Sequence, residues 1–197
     1  MSTSVHSRRL PWRVVDIVVA SVLGVALGVL FWIWAFVYKA PSAGLEALLP
    51  GFQGLVNGIW LMGGVVGGLV IRKPGAAIYT ELLAAVVEAL LGSQWGVLTL
   101  VSGIVQGLGA EVIFAIFLYR RWNLGVAILA GAVSGLFGAV NDLIFWYPGS
   151  KPAFMIIYPA STVISAAIGA GLLGWLLVSG LAKTGALAKF PVGRTRV

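Results

Sequence analysis

The chain has 197 residues, 60% of them hydrophobic and only 10% charged, with a mean hydropathy of +1.03. A soluble domain of this size could not solvate such a surface, so the composition excludes the soluble classes and points to an all-α integral membrane protein. The net charge of +7 does not indicate nucleic acid, because the bases sit in short flanks beside apolar runs, and the absence of Cys excludes disulfides and thiol chemistry.

A span needs about 20 apolar residues, and six runs reach that length: roughly 14–38, 52–71, 75–95, 97–119, 123–147 and 153–179. The first is too long for a signal-peptide core of about 7–15 residues and reads as a retained helix. Asp16 opens it beside Arg13, a position that suits a helix start. Ala20, Gly24 and Gly28 then recur at intervals of four. Such a stripe lets two helices approach closely, and if it faces outward another subunit docks there. Trp34 lies near the outer end of this span. The connection 39–51, broken by Pro41, Gly44 and Pro50 and holding Glu46, is an external loop long enough to cover a pocket.

Span 2 carries Asn57 and Trp60 in its outer part and crowds Gly63, Gly64, Gly67 and Gly68 into its inner half. In span 3, Glu81 and Glu88 are seven residues apart and share one helix face, with Trp95 continuing the stripe. Span 4 holds Gln106 near its middle, Gly103 and Gly107 at an interval of four, and Glu111 two to three turns from Arg120, placed to brace that end. Span 5 repeats the small-residue interval at Gly131 and Gly135 and ends with the pair Asn141–Asp142, about one turn below Phe145 and Trp146. Tyr158 and Pro159 sit near the outer end of span 6, where Pro159 offers no amide to the carbonyl of Met155. The glycine stripes of spans 2, 4 and 5 read as internal packing.

Alternating the flanks fixes an orientation. Eleven bases (Arg8, Arg9, Arg13, Arg72, Lys73, Arg120, Arg121, Lys183, Lys189, Arg194 and Arg196) fall on one side and only Lys39 and Lys151 on the other. This bias places both termini in the cytoplasm. The whole chain, 1–197, reads as one six-helix domain with tails at 1–12 and 182–197.

Five of the six acids (Asp16, Glu81, Glu88, Glu111 and Asp142) lie inside apolar runs, while all thirteen bases lie outside them. A buried ionisable group in a span is costly and marks a functional site by default. Carboxylates without basic partners suit an incoming cation, and amides with flat aromatic faces suit an organic one. The set so gathered is Trp34, Asn57, Trp60, Glu81, Glu88, Trp95, Gln106, Asn141, Asp142 and Tyr158. The plainer reading, neutral carboxyls bonded to nearby backbone, stays open beside it. No P-loop is present, and the only His, His6, is on the N-terminal tail, so Ser134 in Ala132-Val133-Ser134-Gly135 has no base to activate it. The chain is expected not to be an enzyme, and no metal or cofactor is required.

The stretch Arg72-Lys73-Pro74-Gly75-Ala76-Ala77, then Glu81-Leu82-Leu83-Ala84-Ala85, Glu88 and Gly92-Ser93-Gln94-Trp95-Gly96, resembles the YkoE family, as do Trp12-Arg13-Val14-Val15-Asp16 and Asn141-Asp142. These are thiamine-related S components of energy-coupling-factor (ECF) transporters. The resemblance implies an S-component bundle that captures thiamine in an outward-facing pocket and works with a transmembrane coupling subunit and ATPase subunits. Many S components carry Ala-x-x-x-Ala at the coupling surface of span 1. In this chain Ala20-x-x-x-Gly24-x-x-x-Gly28 stands in its place, which implies the interface there. Three rivals remain: the same fold with the hydroxymethylpyrimidine precursor as ligand, a stand-alone proton-coupled transporter relaying through Glu81, Glu88, Glu111 and Asp142, and a structural scaffold.

Overall fold

The computed structural model describes residues 11–194. His6, Arg8, Arg9 and Arg196 lie outside the described residues, as does the side chain of Arg194. Helix α1 (Val14–Val37) begins where Asp16 accepts the Arg13 amide at 2.7 Å and pairs with the Arg13 guanidinium at 2.7 Å. An acid in the first turn favours the positive end of the helix dipole. Lys73 adds a second ion pair to Asp16 and donates to the Pro11 carbonyl at 2.6 Å, tying this end to the turn at 72–75.

The connection 39–51 is not an irregular loop. Residues Lys39–Leu48 form a helix, α2, which ends before Gly51 at φ 108°. The second span changes winding midway. Its first half is a 3-10 helix (Phe52–Leu61) and its second half is α3 (Met62–Ile71). The tight winding is held from outside, because Ser165 Oγ accepts the Gly58 amide at 2.8 Å and donates to the Leu55 carbonyl at 2.7 Å. Arg72 at φ 57° closes α3, and Gly75 at φ 82° opens α4 (Ala76–Leu90).

Glu111 sits on α5 (Leu98–Ile116) and accepts from the Gly75 and Ala77 amides at 2.7 and 2.9 Å and from the Tyr119 hydroxyl at 2.7 Å. It therefore braces this end through the orphan amides at the start of α4 rather than through Arg120. Glu111→Ala removes three hydrogen bonds to one carboxylate, each worth about 1.5–3 kcal/mol. It is expected to lower the thermal unfolding midpoint clearly while the folded fraction keeps wild-type ligand affinity.

Helix α6 (Leu124–Phe145) starts at Asn123, whose side chain accepts the Val126 amide at 3.0 Å. The last span is continuous: α7 (Pro152–Ala166), a π-helical segment (Ala167–Leu173) and α8 (Gly174–Lys183). The widened segment lies where a Cβ on Gly171 would stand 2.6 Å from Ile128 Cα, so backbone meets backbone there. On the same helix as Ile128, Ser134 ties α6 to α5 instead, donating to the Gln106 carbonyl at 2.8 Å. Beyond α8 the chain is not a free tail. Leu187, Phe190 and Val192, the last on the short α9 (Pro191–Arg194), are buried in the same core as Leu69 and Val70.

Among the described residues, five helical segments are long and apolar enough to cross a membrane: Val14–Val37, Phe52–Ile71, Leu98–Ile116, Leu124–Phe145 and Pro152–Lys183. Helix α4, fifteen residues long, is the sixth and shortest of the bundle. Val18, Val22, Ile33 and Phe36 on α1, with Ile144 and Ile156 on later helices, are exposed. Such a belt is what lipid-facing helices carry.

The stripe on α1 requires a correction. Ala20, Gly24 and Gly28 are buried, and the two glycines pack against α4 rather than an open surface. A Cβ on Gly28 would stand 2.6 Å from both the Ala84 carbonyl oxygen and Val87 Cβ, and one on Gly24 would stand 3.0 Å from Leu83. The close approach that the spacing implies is real, but its partner is within the same chain. The glycines of spans 2, 4 and 5 pack internally, as expected: Gly67 against Thr80, Gly103 against Ala85, Gly135 against Ala166.

Candidate ligand-binding site

A cavity of about 430 Å³ lies within the bundle, at the end opposite Asp16 and Glu111. Every helical span contributes to its wall. Four carboxylates line it (Glu46, Glu81, Glu88 and Asp142), and no Lys, Arg or His does. Eight of the ten residues singled out from sequence face it: Asn57, Trp60, Glu81, Glu88, Trp95, Gln106, Asp142 and Tyr158.

The carboxylates differ in what they already hold. Glu81, 1% exposed, accepts the Gly64 amide with Oε2. That contact needs the bare backbone of α3, since a Cβ on Gly63 would stand 2.7 Å from the same oxygen. Asp142 is tied on both sides: Tyr158 donates to Oδ2 at 2.7 Å, and Asn141 approaches Oδ1 at 3.4 Å. Asn57 donates to the Tyr158 hydroxyl at 2.8 Å, extending this chain from the 3-10 helix through α7 to α6. Glu88 is 3% exposed, and its Oε1 has no hydrogen-bond partner in the protein. Two donors share that condition and line the same cavity, Trp60 Nε1 and Gln53 Nε2. Trp60 stands toward Glu88, and Gln53 toward Tyr147, without completing a hydrogen bond. A buried polar atom left unpaired costs roughly 1–3 kcal/mol, and these three are unmet hydrogen-bonding groups on the cavity's lining residues.

Trp60 is the centre of the aromatic wall. Trp34, Tyr38 and Trp95 meet it edge-on, with centroids at 6.4, 4.8 and 5.2 Å. Trp34 stands behind this wall, donating to the Val56 carbonyl at 3.0 Å, and Asn141 stands behind Asp142, donating to Ser102 Oγ at 3.0 Å. Both are supports rather than lining residues. Trp95 reaches the site by a different route from the expected one. Helix α4 ends at Leu90, and the turn through Gly92 at φ 99° carries Trp95 back over the cavity. Gln94 fastens that turn by donating to the Tyr38 hydroxyl at 2.8 Å.

Sequence reasoning missed Gln53, Tyr38, Ser42 and Glu46 as lining residues. The last two come from α2, and the irregular composition of 39–51 gave no signal for a helix there. Among the described residues, no group of three or more His, Cys, Asp or Glu is arranged to hold a metal ion.

Comparison with known proteins agrees with this architecture. The family described as the permease component of an ABC-type cobalt transport system matches residues 15–137, more than half of the chain. The chain is 36% identical over 184 residues to YkoE of Bacillus subtilis strain 168, named as an HMP/thiamine permease protein, covering 93% of this chain and 91% of that one. It is also similar to the crystal structure of an S component of an ECF transporter, with a TM-score of 0.85 and 34% identity over 93% of this chain and 92% of the other.

Proposed function

The chain belongs to the YkoE family of ECF-transporter S components, and from that membership we propose that it captures thiamine in the carboxylate-lined cavity and delivers it to an ATP-driven importer. One observation carries the choice of ligand. The cavity presents four acids and no base, with Glu88 Oε1, Trp60 Nε1 and Gln53 Nε2 unpaired. Thiamine matches in kind: a thiazolium cation for the carboxylates and the aromatic wall, and an aminopyrimidine whose ring nitrogens accept while its amine donates. The volume falls within the range of roughly 300–1,000 Å³ usual for small organic ligands.

The hydroxymethylpyrimidine precursor is the second reading, favoured by the paired name of the Bacillus relative. It could use the two donors and Glu88, but it brings no permanent charge to the other acids. Cobalt is the less suitable cargo, given a wall with neither His nor Cys. Intrinsic tryptophan fluorescence separates thiamine from cobalt, because Trp60 and Trp95 line the site. Thiamine is expected to quench it saturably and Co²⁺ not to. Saturable quenching by Co²⁺ that thiamine fails to displace would overturn the assignment.

In this reading the cavity opens on the external face, the basic end lies in the cytoplasm, and α2 stands beside the entrance. The described chain supplies no ATP site, so accumulation depends on a coupling subunit and ATPases. Uptake in cells is expected to require their co-expression, whereas binding is not. Accumulation of thiamine by the chain alone in proton-loaded liposomes, without ATP, would instead support the carboxylate relay. That relay has already lost one member, since Glu111 is committed to the start of α4.

A further inference from the structure

At the basic end of the bundle the acids are all engaged. Asp16 is held by Arg13 and Lys73, and Glu111 by two amides and Tyr119. Arg72 is left with no acidic partner among the described residues. It is half-buried at the end of α3, its Nε donates to the Leu69 carbonyl at 3.1 Å, and its guanidinium lies over the Trp122 ring at 5.5 Å. Burial works against its charge and pushes its pKa down. A desolvated cation without a counter-charge is costly, so its retention at this position calls for an anion from outside.

A cleft of about 160 Å³ opens beside it, where α3 ends, α6 begins and α8 and α9 close the wall. Leu69, Trp175, Val178 and Val192 make it mainly apolar, with Asn123 and Ser179 as its polar edge. We propose that this cleft binds an anionic phospholipid, with the phosphodiester on the Arg72 guanidinium and the glycerol and upper acyl chain against the apolar wall. A free phosphate would find one guanidinium and little else there, whereas a lipid fills both halves of the cleft. Basic pockets between helices at the membrane edge take anionic headgroups for this reason. Arg120 and Arg121, exposed just before Trp122, add to the local positive potential.

Native mass spectrometry of the purified full chain tests this, using phosphatidylglycerol and phosphatidylcholine of identical acyl chains. Wild type is expected to retain phosphatidylglycerol roughly tenfold more tightly or better, the value of one charge-assisted contact. Arg72→Gln should abolish that preference, Arg72→Lys should keep part of it, and Ser179→Phe, which fills the cleft, should weaken both lipids. Equal preference in wild type and Arg72→Gln would overturn the proposal, assigning the effect to diffuse surface charge. Displacement of the lipid by an equal concentration of glycerol phosphate would also overturn it, showing a free-anion site. If Arg72→Gln does not fold, Ser179→Phe decides alone: unchanged lipid retention in that variant excludes the cleft.

Discussion

Glu88→Gln is expected to weaken thiamine binding by roughly tenfold to more than a hundredfold, while a neutral pyrimidine fragment loses far less. The substitution keeps the shape of the side chain and removes its charge. Glu88 is the sensitive position because its Oε1 is buried and unpaired, so a ligand contact replaces nothing already made. Asp142→Asn should be milder, since Tyr158 and Asn141 already hold that carboxylate. Glu111→Gln should not discriminate between charged and neutral ligands, because Glu111 lies at the other end of the bundle. Titration of each variant with thiamine and with the fragment provides the comparison. If both Glu88→Gln and Asp142→Asn bind thiamine as wild type does, the cation is recognised elsewhere, and Glu81 and Gln106 become the next positions to replace.

Gly28→Leu is expected to damage folding and binding together. Its first added atom would stand 2.6 Å from the Ala84 carbonyl oxygen, and backbone at that position cannot swing aside as a side chain can. Overpacking of this kind costs typically 1–3 kcal/mol and occasionally more. Gly24→Leu should be milder, because it meets the flexible Leu83 side chain at 3.0 Å. Val22→Leu, on the exposed face of α1, should leave both properties unchanged. Yield of monodisperse protein, unfolding midpoint and thiamine affinity separate the three variants. A Gly28→Leu protein that binds thiamine normally but fails in transport would restore the stripe as a docking face for another subunit.

The bundle was legible because lipid demands long apolar runs and because charge at span ends has few places to go. The acids were legible for the same reason: Glu81, Glu88 and Asp142 stand out within apolar runs, and all three line one cavity. Facing was not legible. The interval of four in Ala20, Gly24 and Gly28 states that something approaches closely, and nothing in a one-dimensional pattern says whether α4 or another chain is that neighbour. Helix ends inside a span were equally hidden. The seven-residue interval from Glu88 to Trp95 fits a helix, yet α4 stops at Leu90 and Trp95 arrives by way of the turn. The 3-10 winding around Asn57 and Trp60 was hidden too, because Ser165, which holds it, lies more than a hundred residues further along the chain.

Calorimetric titration of the purified chain with thiamine and with hydroxymethylpyrimidine tests the ligand assignment most directly. A carboxylate-lined cavity with one unpaired oxygen on Glu88 should give saturable one-to-one binding of both. Thiamine should be the tighter by at least the roughly tenfold worth of one charge-assisted contact. Equal affinity for the two, or binding of the precursor alone, would contradict recognition of the cation by the carboxylates.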